Sequence, residues 1–123
     1  MGKLRIVAIV DDDEAVRLAN ANLVRALDWP VRVFASAQEY LRSAYVGDTA
    51  CLISDVSMPG MSGIELHAHL LSLGIAQPTL FVTAFRTETV EAEVLVNGTL
   101  ALLEKPFDAD VVAHWIELAM SKP

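Results

Sequence analysis

Acidic, basic and hydroxyl side chains stand at the ends of separate apolar segments in this 123-residue chain. Asp11 and Asp12 follow the first segment, Asp55 follows another, Thr83 closes a third, and Lys105 comes soon after a fourth. Two carboxylates about 4 Å apart repel each other by roughly 4 kcal/mol at an effective dielectric near 20, so clustered aspartates need a cation. If folding brings the three acids together, they form a site for a hard divalent ion.

Such a site suits Mg²⁺, because this ion prefers oxygen ligands, keeps several waters and often takes only one or two carboxylates. A remaining carboxylate can act as a nucleophile toward phosphorus, which gives an aspartyl phosphate. A lysine ammonium and a threonine hydroxyl would then stabilise the phosphoryl oxygens. Lys105 and Thr83 are the candidates for these two roles.

Apolar runs and amphipathic segments alternate five times along the chain. Strands are predicted at Leu4–Val10, Val31–Phe34, Cys51–Ser54, Thr79–Thr83 and Leu100–Leu103. Helices are predicted from the Asp13 N-cap to Trp29-Pro30, from Ser36 to Tyr45 with a capping box completed by Glu39, from Ile64 to Leu73, from Thr87 to Val96, and from Asp108 to about Met120. This alternation predicts an α/β fold, a flavodoxin-like doubly wound (βα)5 sandwich whose five parallel strands lie in the order 2-1-3-4-5. Ligands bind beyond the carboxyl ends of such strands, where the polar residues stand.

Composition excludes several other classes of protein. Hydrophobic residues make up 54% and charged residues 20% of the chain, which predicts one folded domain over residues 1–123. A net charge of −7, with arginines scattered singly, disfavours binding to nucleic acid or to an anionic membrane surface. The chain has no segment typical of a membrane span or a secretory signal, and its one cysteine is Cys51, so we expect a cytoplasmic location.

The motifs, taken in order, closely resemble those of the receiver domain of two-component response regulators. The resemblance covers essentially the whole chain and is carried by Val10 to Glu14, Asp55 to Gly63, Thr83-Ala84 and Lys105-Pro106-Phe107. The runs Met-Pro-Gly-Met-Ser-Gly-Ile-Glu-Leu and Glu-Lys-Pro-Phe look most like the nitrogen-fixation and LuxR-type branch of these regulators. The resemblance implies a phosphorylation-controlled signalling domain that regulates an output such as transcription, and not an enzyme acting on other molecules.

The resemblance also implies a role for each site residue. Asp55 would accept a phosphoryl group from a phosphohistidine of a sensor kinase, and Lys105 would pair with the acyl phosphate. Thr83 would move inward to bond a phosphoryl oxygen and so shift the loop after its strand. A Mg²⁺ or Mn²⁺ ion would be bound by the side chains of Asp11, Asp12 and Asp55, Asp11 acting largely through a water, and by the backbone carbonyl of Ser57. The Lys105–Pro106 bond, often cis in this family, would aim the lysine at the pocket.

Leu102 departs from the family pattern, because it stands where a Tyr or Phe usually changes rotamer. We therefore expect the signal to pass through the fourth helix or through the packing of Leu102, and Phe85 to cover the acyl phosphate. The fourth helix carries more apolar residues than one buried stripe requires, which predicts a surface for a homodimer or an output domain on helix four, strand five and helix five. The residues assigned to the switch and this surface are Thr83, Ala84, Phe85, Leu102, Val94 and Val96.

Two other functions share parts of this pattern. Asp11-x-Asp13 after a first strand is also found in phosphatases of the haloacid dehalogenase type, although Ala15 stands where their motif has a Thr. A helix N-cap is the structural alternative for Asp13. A flavin-binding flavodoxin is disfavoured, since four acids after the first strand would repel the flavin phosphate. His67, His69 and His114 are assigned structural roles, because no two of them have the spacing of a metal site.

Overall fold

The computed structural model describes residues 5–94, 99–105 and 108–121. Strands and helices alternate as predicted: β1 (Ile6–Val10), α1 (Glu14–Ala26), β2 (Val31–Phe34), α2 (Ala37–Arg42), a short 3₁₀ helix (Val46–Asp48), β3 (Thr49–Asp55), α3 (Gly63–Ser72), β4 (Thr79–Thr83), α4 (Glu88–Val94), β5 (Thr99–Glu104) and α5 (Ala109–Met120). The predicted residues Val96, Asn97 and Gly98 and the Lys105–Pro106 bond lie outside the described residues.

All neighbouring strands pair in parallel in the order β2-β1-β3-β4-β5, which confirms the predicted fold. β1 and β3 lie at the centre, and each strand position of β1 is buried because helices cover both faces of the sheet. The carboxyl ends of β1, β3, β4 and β5 therefore meet at one edge of the sheet. β5 is an outer strand of the sheet.

The core divides into layers on the two faces of the sheet. On one face, α1 and α5 pack against alternate residues of the central strands, such as Ile9 and Ile53. On the other face, α2 and α3 cover Ala8, Val10 and Leu52, and a smaller cluster joins Phe81 of β4 to α4. The alternation of β-strand side chains places both faces of the inner strands β1, β3 and β4 against helices, as their continuous apolar runs predicted.

Side-chain caps define where several helices begin. Asp13 caps α1 by accepting hydrogen bonds from the backbone N–H groups of Ala15 and Val16, and Ser36 caps α2. The capping box predicted at Ser36 is incomplete, because the Glu39 carboxylate accepts from the N–H of Ala35 rather than closing on Ser36. A complete box is formed instead by Ser62 and Glu65 at the start of α3.

The prediction that the second helix continues to Tyr45 was wrong. α2 ends at Arg42, because Ser43 adopts an extended conformation and its hydroxyl donates to the carbonyl of Tyr40 at 2.7 Å. Asp28, beyond the end of α1, has a φ of 65°, the left-handed conformation that glycine usually supplies at helix ends. None of the helices among the described residues is long and apolar enough to cross a membrane.

Candidate functional site

Three aspartates meet where β1 and β3 end. Val10 and Ser54 are partners in the parallel register, so Asp11 and Asp55, the next residue on each strand, emerge side by side. Carboxylate oxygens of Asp11, Asp12 and Asp55 all lie within 4.8 Å of one another. Asp11 and Asp55 are buried, 1% and 7% exposed, whereas Asp12 faces solvent. The acids predicted to cluster are therefore brought together and could hold a metal ion.

Lys105 follows β5, an outer strand of the sheet, and its side chain reaches the cluster past the end of β4. Its backbone N–H donates to the carbonyl of Thr83 at 2.8 Å, which continues the pairing of β4 with β5 by one residue. Its ammonium group then lies 3.0 Å from Asp55 Oδ2 and 3.3 Å from Asp11 Oδ2. One cation is thus shared between two buried carboxylates, as the positions at the strand ends predicted.

The electrostatics of the cluster follow from its burial. Removal from water raises the pKa of Asp11, and the nearby charge of Asp55 adds to this rise against the lowering effects of the Asp13 N–H and Lys105. Burial alone would lower the pKa of Lys105, but its contacts with the two carboxylates outweigh burial and raise the pKa. Lys105 is therefore firmly protonated, yet one ammonium does not neutralise three carboxylates. The site still favours a further cation.

Backbone groups fix the orientation of the two buried acids. Asp11 Oδ1 accepts a hydrogen bond from the N–H of Asp13 at 2.9 Å, and Asp55 Oδ1 accepts one from the N–H of Ser57 at 3.1 Å. The guanidinium of Arg17 donates to the main-chain carbonyl of Asp11 at 2.8 Å, which ties α1 to the end of β1. Each of the two carboxylates consequently has both oxygens held in place.

The turn between β3 and α3 passes unusually close to the backbone of Asp55. Gly63, the first residue of α3, donates its N–H to the carbonyl of Val56. A Cβ at Gly63 would lie 2.1 Å from the carbonyl oxygen of Asp55 and 2.8 Å from the hydroxyl of Ser54, which itself donates to that carbonyl. Only glycine permits this approach, so Gly63 helps to place the aspartate.

Thr83, at the end of β4, faces the loop that follows it. Its hydroxyl donates to the carbonyl of Phe85 at 3.2 Å and accepts from the N–H of Phe85 at 3.3 Å. Ala84 is exposed, and the Phe85 side chain is 80% exposed. Thr83 therefore lies at the edge of the site, and its hydroxyl is bonded to the loop. That Phe85 covers the acyl phosphate stays a prediction.

The surface predicted on helix four and strand five requires a correction. Val94 and Leu102 are only 1% and 2% exposed and pack with Val56 and Phe81 in the core, so neither side chain lies on an exposed surface. The short α4 turns Val94 toward the sheet and leaves Glu88 and Glu93 exposed. Val96, also assigned to this surface, lies outside the described residues.

Asp13 does not pair with Asp11 as the motif of phosphatases of the haloacid dehalogenase type requires. Its carboxylate is engaged in capping α1, where Oδ1 accepts from Ala15 and Val16 at 2.9 Å and 3.2 Å. The structural alternative for Asp13 is thus confirmed. The partner of Asp11 in the site is Asp55, from a different strand.

Two residues that shape the site, Arg17 and Gly63, were not predicted as site residues from the sequence. Gly63 stands in the motif that follows Asp55, and Arg17 is one of the scattered arginines. No local pattern reveals the tertiary contacts of either residue.

Comparison with known proteins decides between a receiver domain and a phosphatase of the haloacid dehalogenase type. The profile of the family described as "Response regulator receiver domain" matches residues 7–117. This chain belongs to the receiver domain family. Its signalling role is that of a phosphoreceiver, and the assignment as a phosphatase of the haloacid dehalogenase type is not supported.

Named regulators are similar to this receiver domain. Nodulation protein W of Bradyrhizobium diazoefficiens is 35% identical over 102 residues, which cover 83% of this chain and 45% of that protein. Transcriptional regulatory protein FixJ of Rhizobium meliloti is 34% identical over 113 residues, covering 92% of this chain and 55% of that protein. The crystal structure of FixJ-N is also similar, with 31% sequence identity and a TM-score of 0.84. The alignment covers 100% of this chain and 98% of the FixJ-N chain.

These relatives confirm the predicted likeness to the nitrogen-fixation branch of regulators. The chain spans about half the length of the curated relatives that it matches. Receiver domains of response regulators are regulatory and interact with sensor kinases and output domains.

Proposed function

We propose that this receiver domain accepts a phosphoryl group on the carboxylate of Asp55 from a phosphohistidine of a sensor kinase. The observation that carries the proposal is the buried Asp55 carboxylate, held by Lys105 at 3.0 Å and by the Ser57 N–H at 3.1 Å beside two further acids. An oxygen–phosphorus bond forms at Asp55 while the nitrogen–phosphorus bond of the donor breaks, and its electron pair stays on the imidazole. The product is an acyl phosphate.

The donor set fits Mg²⁺ or Mn²⁺. Asp11, Asp12 and Asp55 supply carboxylate oxygens, and the backbone carbonyl of Ser57 is the proposed fourth protein ligand. When bound, the ion supplies positive charge that offsets the carboxylates and the phosphoryl oxygens. The fit is supported by the charge balance of the site, since the single ammonium of Lys105 faces three clustered carboxylates.

Residues of the chain itself perform the remaining work. Lys105 is in place to pair with a phosphoryl oxygen, since its ammonium already lies within hydrogen-bond distance of Asp55. Thr83 would release Phe85 and donate its hydroxyl to another phosphoryl oxygen, which would shift the loop after β4. We assign Thr83, Ala84 and Phe85 to the switch on this basis, with the buried packing of Leu102 and Val94 as the part of the core that responds.

The partners proposed are a sensor histidine kinase and an output domain that controls transcription, as the name of transcriptional regulatory protein FixJ indicates for that relative. Residues 1–123 are proposed to form one receiver domain, in the cytoplasm, without direct contact with nucleic acid or membrane. A phosphorylation-dependent homodimer through α4, β5 and α5 is an alternative to docking of the output domain.

Incubation with acetyl phosphate tests the function. In the presence of Mg²⁺ we expect the wild-type protein to gain one phosphoryl group, detected by intact-protein mass spectrometry. Omission of Mg²⁺ with added chelator and the variant Asp55→Asn should both abolish the gain. An unmodified wild-type protein under conditions that label a known receiver domain would refute the proposal.

A further inference from the structure

The loop between β4 and α4 is held against the outer strand by one arginine. Arg86 donates its backbone N–H to Glu104 Oε2 at 2.7 Å, and its guanidinium donates to the main-chain carbonyl of Leu102 at 2.7 Å. The same guanidinium contacts Glu91 of α4 at 3.1 Å. Arg86 thereby joins the loop, β5 and α4, and the three contacts together are named the Arg86 latch.

Distances indicate which contacts fix the resting position of the loop. The two hydrogen bonds between Thr83 and Phe85, at 3.2 and 3.3 Å, are long for an O–H or N–H donor. Those from Arg86 to Leu102 and Glu104 are short and charge-assisted, and such bonds are about twice as strong as neutral ones. The pair with Glu91 is an exposed ion pair, a class that contributes little. The bonds to β5 therefore dominate.

The location of the latch connects it with Thr83. Thr83 and Glu104 are partners in the register of β4 and β5, and Arg86 is only three residues beyond Thr83. If the Thr83 hydroxyl moves to a phosphoryl oxygen, it gives up both bonds to Phe85, which frees the segment from Ala84 to Arg86 to shift. Arg86 would then leave the carbonyl of Leu102 on the outer strand.

We propose that Arg86 is a positioning residue that holds Thr83 in its resting place and transmits its movement to the edge of β5. The contact is made at Leu102, the position where this chain lacks the aromatic side chain expected from the family. Arg86, in the loop between β4 and α4, would thus take over the part in the switch that the family assigns to the aromatic side chain. The inference rests on the proposed function, because it concerns the response to a phosphoryl group on Asp55.

Beryllofluoride with Mg²⁺ is the probe, since this fluoride complex imitates a phosphoryl group on a carboxylate. Arg86→Ala removes the two guanidinium contacts of the latch and keeps the bond from the Arg86 N–H to Glu104. If the guanidinium contacts favour the resting conformation, their loss increases the fraction of molecules able to place Thr83 on the probe. We expect Arg86→Ala to bind the probe about three- to tenfold more tightly than wild type. Glu91→Gln, which keeps the bond to Leu102, should change the affinity by less than about twofold.

Controls separate a positioning role from a structural one. Arg25→Ala removes an exposed arginine from α1 and should leave the affinity unchanged. Arg86→Lys keeps the charge but loses the planar fork and should lie between Arg86→Ala and wild type. If Arg86→Ala does not fold, Arg86→Gln takes its place. A lower melting temperature without tighter binding would mean that Arg86 is merely structural, and would overturn the proposal.

The wild-type protein gives a second readout. Hydrogen exchange at the Arg86 amide, bonded to Glu104 at rest, should accelerate when the probe saturates the protein. Unchanged exchange in the saturated protein would overturn the latch while leaving the proposed function intact. If wild type binds no beryllofluoride in the presence of Mg²⁺, the proposed function and the latch fail together.

Discussion

Lys105 Nζ lies 3.0 Å from Asp55 Oδ2, and these residues are 50 positions apart on strands that do not touch. The lysine side chain passes beyond the end of β4 to reach β3 and also contacts Asp11 at 3.3 Å. Among the described residues, it is the cation that forms ion pairs with the carboxylates of this cluster. Removal of its charge should therefore affect both the stability and the chemistry of the site.

Lys105→Met keeps the length of the side chain but removes its charge. We expect the free energy of unfolding at pH 7 to fall by about 1–3 kcal/mol, because two buried carboxylates lose a hydrogen-bonded cation. The burial-raised pKa of Asp11 makes the folded state bind protons more readily, so this loss should diminish as the pH falls. Urea unfolding at several pH values measures both effects.

Lys105→Arg is the control, since it retains the charge and should lose less stability than Lys105→Met. Addition of Mg²⁺ should restore part of the stability of Lys105→Met. Equal stability of Lys105→Met and wild type across the pH range would contradict the electrostatic role of Lys105.

Mg²⁺ itself should stabilise the wild-type protein. A ligand that binds only the folded state at 100 times its Kd adds about 2.7 kcal/mol, which thermal unfolding readily detects. Asp12→Asn should lose most of this gain while the metal-free protein keeps its stability, because Asp12 is exposed. Asp28→Asn removes an equal charge at the far end of α1 and should respond to Mg²⁺ like wild type. A full response of Asp12→Asn would remove Asp12 from the ligand set.

The carboxyl-end cluster was predictable because parallel strands deliver their last residues to one edge. Asp11, Asp55 and Lys105 need only the strand order to meet, and the strand order follows from the alternation of strand and helix. Strand limits were predicted less well. β3 begins at Thr49 rather than Cys51, because the pairing of Thr49 with Ile6 of β1 extends the strand beyond the apolar run.

Gly63→Ala tests how closely α3 approaches the site. The added Cβ would overlap the carbonyl oxygen of Asp55, so the backbone must shift. We expect a loss of about 2 kcal/mol or more in the free energy of unfolding and slower phosphoryl acceptance. Gly47→Ala is a matched control, because nothing lies within 4 Å of its added Cβ. Similar behaviour of the two variants would disprove the role of the Gly63 contact.

His67 should make stability depend on pH. The side chain is buried on α3 against Phe81, with ring centroids 5.6 Å apart, and its Nε2 has no hydrogen-bond partner among the described residues. Burial lowers its pKa below the ordinary 6.5, so the unfolded state binds the proton first and stability falls as the pH drops below about 6.5.

His67→Phe should reduce that fall, measured by urea unfolding between pH 7 and pH 5. His69→Phe, the same change at an exposed position of α3, should keep the wild-type dependence. If His67→Phe and wild type lose stability in parallel, the titration of His67 is not the cause.

Tertiary contacts made by single side chains could not be predicted. The apolar residues of the fourth helix indicated an exposed surface, but a helix of only seven described residues uses Val94 to cover Phe81 and Leu102. Arg86 gave no sequence signal, because its partners are a backbone carbonyl and a glutamate sixteen and eighteen residues away. Only the packing of β5 beside β4 brings them within reach.

Identification of the modified residue tests the central claim most directly. The protein is treated with acetyl phosphate and Mg²⁺, the acyl phosphate is reduced with borohydride to homoserine, and the peptides are sequenced by mass spectrometry. The account predicts homoserine at position 55 and at no other aspartate, with none formed in Asp55→Asn. Conversion of Asp11 or Asp12 instead, or conversion that persists in Asp55→Asn, would contradict it.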